Sequence, residues 1–107
     1  MTKHFLLVYK LDSINHIIHG PYTHYEGAGA TDVVTFRRQN IMRDLGFKCE
    51  LYNVENDFIL ITYKLDALNR LKFEPLIYDF STSQEAIEKA CVLDELGFKT
   101  HIEKLQK

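Results

Sequence analysis

The sequence predicts an α+β fold. The expected architecture is an internally duplicated ferredoxin-like unit, β-α-β-β-α-β with extra short strands, in one antiparallel sheet with two helices on one face. Three observations predict it. Tyr9-Lys10-Leu11-Asp12 recurs letter for letter as Tyr63-Lys64-Leu65-Asp66, and Leu45-Gly46-Phe47-Lys48 recurs as Leu96-Gly97-Phe98-Lys99. Single matches fall between them in the same order: Asn15 with Asn69, Pro21 with Pro75, and Thr31 with Thr82. Each copy also reads as strand, short strand, helix, strand. Self-similarity at a fixed period is the first thing to look for, because missing it misreads the fold. The chain is therefore expected to be one domain, 1–107, made of two repeats at about 4–53 and 57–104.

Residues 4–11 read as a strand, with Phe5, Leu7, Tyr9 and Leu11 on one face and Leu6 and Val8 on the other. Both faces are apolar, which predicts a central strand covered on both sides. Gly20-Pro21 is a turn signal, and 22–26 is expected to be a short strand. Thr31 or Asp32 caps a helix running to about Leu45, with Phe36, Ile41, Met42 and Leu45 as its core stripe and Arg37, Arg38 and Arg43 in solvent. Gly46 ends the helix in the left-handed conformation. Residues 47–52 form the next strand. A polar turn at 53–57 is expected to return the chain as a hairpin, pairing 47–52 with 58–65.

In the second copy Ile59, Ile61, Tyr63 and Leu65 share a face, with Leu60 and Thr62 opposite. Residues 76–80 read as a strand. Thr82 with Glu85 has capping-box spacing, and the helix runs to Leu96. Gly97 closes it, 98–103 is the last strand and 104–107 is a frayed tail.

Hydrophobic content of 46% and charged content of 26% are those of a soluble globular domain. A net charge of −2 does not favour sequence-independent nucleic-acid binding, which needs a positive field, although a local basic patch stays compatible with it. Two cysteines, Cys49 and Cys91, are too few for a disulfide scaffold and read as buried reduced thiols. No signal segment or membrane span is apparent, so a cytoplasmic location is the default.

Several groups carry candidate chemistry. Gly27, Gly29 and Thr31 open a helix, where free amides can receive an anion assisted by Arg37 or Arg38; a flexible connection is the plainer reading. His24 and Glu26 are candidate metal ligands, but their spacing fits no standard site, and no metal or cofactor is called for. If the chain is an enzyme, His19, His24 and Tyr25 are the groups to examine. Two helices cover only one face of a single sheet, so Leu6, Val8, Leu60 and Thr62 are expected to form an open apolar face, a candidate interface.

The leading expectation is a small non-catalytic interaction module that binds itself, as a homodimer, or another protein through that face. The alternative is a small-molecule-binding protein or enzyme with a pocket near 16–31. A third reading is a nucleic-acid binder using Arg37, Arg38 and Arg43.

Overall fold

The structure, a computed structural model, describes residues 2–27 and 31–105. Its elements are β1 (Lys3–Leu11), β2 (Ile17–Tyr25), α1 (Asp32–Asp44), β3 (Lys48–Val54), β4 (Phe58–Tyr63), β5 (Leu76–Phe80), α2 (Ser83–Glu95) and β6 (Lys99–Lys104). They build two three-stranded antiparallel sheets, β2-β1-β3 and β5-β4-β6, rather than the single ferredoxin-like sheet expected. The expected hairpin across 53–57 does not form. β3 pairs with β1, β4 pairs with β5 and β6, and the turn carries the chain from one sheet to the other.

The physical reason lies in the central strands. β1 and β4 are apolar on both faces, and each face must be covered. Phe5, Leu7 and Tyr9 of one sheet pack against Ile59 and Ile61 of the other, joined by Val54 and Leu105. On the outer faces α1 covers Leu6, Val8 and Cys49 through Met42, and α2 covers Leu60 through Ala90 and Leu93. The layers run helix, sheet, sheet, helix. Full burial of each such aliphatic or aromatic side chain is worth about 1.5–3 kcal/mol. Leu6, Val8 and Leu60 are 0% exposed and Thr62 is 1% exposed, so the open apolar face expected of them is absent: the chain's own helices cover it.

The two repeated four-residue stretches turn out to meet each other. β1 pairs with β3 so that Tyr9 faces Lys48, and β4 pairs with β6 so that Tyr63 faces Lys99. The Lys10 ammonium then sits 5.1 Å from the Phe47 ring centroid, and that of Lys64 sits 5.2 Å from Phe98. Such a cation–π contact is worth about 0.5–1 kcal/mol at an exposed site. Gly46 and Gly97 take φ of +91° and +90° beside those lysines, ending each helix where a side chain would be strained.

β2 is one nine-residue strand running through Gly20-Pro21, which is not the turn expected there. The peptide is cis, and Gly20 has φ +74° with a built Cβ 2.6 Å from the Val8 carbonyl oxygen, so a side chain has no room. The pairing with β1 is irregular on either side of Lys10. At the other end of the chain, Leu105 is buried and its amide donates to the Asp57 carbonyl at 2.8 Å, tying down the start of the segment expected to fray.

Candidate interaction surface

Each helix is capped as its sequence suggests. The Thr31 hydroxyl accepts from the Val34 amide at 3.3 Å, and that of Thr82 accepts from Glu85 at 3.2 Å. Facing is where the structure departs from expectation. α1 turns Thr35 (0% exposed) and Gln39 (6%) toward the sheet, with Met42 half-buried. The Gln39 amide donates to the Cys49 carbonyl at 2.9 Å, and the Arg43 guanidinium donates to the same oxygen at 3.1 Å. Phe36, Ile41 and Leu45, expected in the core, are 52%, 52% and 63% exposed, beside exposed Val33 and Val34. Beneath the helix Tyr22, Phe47 and Leu51 already pack on Leu6, Val8 and Cys49, so small and hydrogen-bonding side chains complete the contact. α2 repeats the arrangement: Ala86, Ala90 and Leu93 are buried, while Ile87, Val92 and Leu96 are exposed. Cys91 is exposed too, against the expectation of a buried thiol.

The residues singled out for chemistry are not brought together. His24 Nε2 lies 2.8 Å from Glu26 Oε1, and Arg38 Nε donates to the same oxygen at 3.1 Å. The hydrogen bond from His24, then that from Arg38, holds the Glu26 carboxyl below its ordinary pKa. The trio links the end of β2 to α1. Tyr25 turns the opposite way and packs on the core between the sheets. His19 packs edge-on to Tyr22 and Phe47, with centroids 5.3 and 5.4 Å away. Among the described residues no three His, Cys, Asp or Glu side chains are placed to hold a metal ion. Gly27 is buried at the end of the segment, Gly29 lies outside the described residues, and Thr31 is engaged as the cap. Burial pushes the Cys49 thiol and the Tyr52 hydroxyl up, and Tyr9 up to about 12, so each stays protonated near neutrality.

A cavity of about 550 Å³ opens beside β4, lined by Thr62, Phe73, Leu76 and Phe98 together with Lys64 and Glu74. The equivalent positions of the N-terminal unit are Val8, His19, Tyr22, Phe47, Lys10 and Gly20. There the larger Tyr22 stands where the other unit has Leu76, and its ring packs edge-on to His19, which packs in turn on Phe47, and against the Leu6, Val8 and Cys49 cluster. Sequence reasoning missed this cavity. The signal lay in the differences between the two aligned units, Tyr22 against Leu76 and His19 against Phe73 among them.

Among the described residues no helix is long and apolar enough to cross a membrane. Compared with models of known families, with curated proteins and with solved structures, the chain finds no match.

Proposed function

We propose that this chain is a non-catalytic, self-associating interaction module that docks through the solvent faces of α1 and α2. One observation carries the reading: α1 buries Thr35 and Gln39 while exposing Val33, Phe36, Ile41 and Leu45. A helix that faces solvent alone gains nothing from large apolar side chains there. Val33, Arg37, Ile41 and Leu45 follow one another at four-residue spacing along one row, with Phe36 on the other flank, and exposed apolar surface of that kind marks docking sites. The histidines and tyrosines that would serve catalysis are divided between faces, and the Cys49 thiol is held protonated rather than activated. The basic face of α1 gives little support to nucleic-acid binding. Arg38 is engaged by Glu26 and Arg43 by the Cys49 carbonyl, and a strong phosphate interaction needs several free cations.

The test is sedimentation velocity over a concentration series of the native chain and of Ile41→Ser with Leu45→Ser. The native chain should grow heavier with concentration and the variant should stay monomeric. Both substitutions lie on the surface and should leave stability within about 0.5 kcal/mol. A native chain that remains monomeric throughout, or a variant that associates equally well, refutes the reading.

The cavity beside β4 supports a second reading, binding of a small apolar molecule, because its near-copy in the same chain is filled. Indole is a suitable probe, followed by NMR shifts at Thr62 and Leu76. Leu76→Tyr should close the site and abolish the shifts; shifts that persist in that variant place the probe elsewhere.

A further inference from the structure

The two helix faces share exposed apolar residues at three positions, differ at Val33 and Val34, where α2 has Gln84 and Glu85, and reverse charge at one. Phe36, Ile41 and Leu45 of α1 and its cap stand where α2 and its cap have Ile87, Val92 and Leu96. Within that pattern the sign reverses one turn before Ile41 and Val92: Arg37 stands where α2 has Glu88. By sequence α2 has four acidic residues against Lys89, while α1 has three arginines against Asp32 and Asp44, of which Arg38 and Arg43 are engaged by Glu26 and the Cys49 carbonyl, leaving Arg37 to face a partner. Joining α1 to α1 would bring the Arg37 guanidiniums of two copies together, and joining α2 to α2 would bring their Glu88 carboxylates together. Like charges at close quarters cost several kcal/mol in an interface. Joining α1 to α2 matches charge to charge and apolar patch to apolar patch. One molecule cannot do this alone, because its helices cover the outer faces of two different sheets that pack between them.

We infer that copies of this chain assemble head to tail, the α1 face of one copy seated on the α2 face of the next. The inference rests on the self-association proposed above and names its partner and its polarity. A heterologous contact does not close on itself unless the rotation between copies permits a ring, so assembly runs through dimers to longer species. Salt should weaken it, since exposed charge pairs are screened.

The experiment is charge reversal with mixing. Among the described residues Arg37 makes no ion pair and Glu88 accepts only from Gln84 on its own helix, so both are surface changes. Arg37→Glu leaves both helix faces acidic, and Glu88→Arg shifts α2 toward positive beside a basic α1. Each variant alone should associate about tenfold more weakly than the native chain, read by sedimentation equilibrium. An equimolar mixture should recover association, because every α1–α2 contact between unlike variants again pairs opposite signs at positions 37 and 88. Native mass spectra of the unmodified chain should show species beyond the dimer.

A native chain that stops at a discrete dimer overturns the inference while leaving self-association intact. So does a mixture that recovers nothing, or variants that associate like the native chain. A native chain that is monomeric at every concentration overturns the inference and the underlying reading together.

Discussion

Asp12 and Asp66 each fold a loop around one carboxylate oxygen. Asp12 Oδ1 accepts from the amides of Ile14 and His16 at 3.0 and 2.9 Å, and Asp66 Oδ1 accepts from those of Leu68 and Arg70, both at 2.9 Å. Asn15 and Asn69 supply the left-handed residue within the loops, at φ 67° and 62°, a conformation asparagine tolerates better than most. These identities were legible as repeated letters, but not as a loop mechanism, because the pattern does not show which backbone amides a carboxylate will reach. The amide hydrogen bonds, first those from His16 and Arg70, hold both carboxyls below their ordinary pKa. A carboxylate with a lowered folded pKa stabilises the fold above about pH 4, near its unfolded value, and that contribution is lost as pH falls through the folded pKa. Asn keeps an accepting oxygen and does not titrate. The Asp12→Asn, Asp66→Asn double variant should therefore lose less melting temperature than the native chain between about pH 5 and about pH 3. Equal losses followed by circular dichroism would show that other carboxylates dominate acid unfolding.

At the scale of elements, the caps, the helix ends and the two-faced central strands could be read from the residues. Capping and glycine termination are local chemistry, so Thr31, Thr82, Gly46 and Gly97 announce themselves. The partner of each strand face is not local. Alternation along 5–9 says that both faces are buried, and is silent on whether a helix, a second sheet or another chain does the burying. The inverted facing of α1 was hidden for a related reason. The spacing of Phe36, Ile41 and Leu45 suggests a core stripe only if apolar residues point inward, and here Gln39 and Arg43 supply the inward bonds to the Cys49 carbonyl. The C-terminal unit binds its helix differently at the equivalent position: the Thr100 hydroxyl donates to Asp94 at 2.9 Å. One sheet edge is managed too. Three strands per sheet leave β2, β3, β5 and β6 as edges, and the β2 edge is stopped by the Glu103 carboxylate, which accepts from the Thr23 amide at 2.7 Å and from its hydroxyl. A charged group turned onto an edge discourages further strand pairing.

For the whole molecule the consequence is a narrow slab. Its Cα extents are 41, 36 and 16 Å, and the shortest fits three strands about 4.8 Å apart with their twist. Stacking places the two helices at the outside, where their apolar residues meet solvent. The central claim is that copies join through those helix faces and not through strand edges. Methyl-detected NMR across a dilution series tests it most directly. The methyls of Val33, Ile41, Leu45, Ile87, Val92 and Leu96 should shift as concentration rises, while buried Leu6, Val8 and Leu60 and the strand-borne, exposed Ile18 hold still. Shifts concentrated at Ile18 with silent helix methyls, or no shift anywhere, would contradict the account.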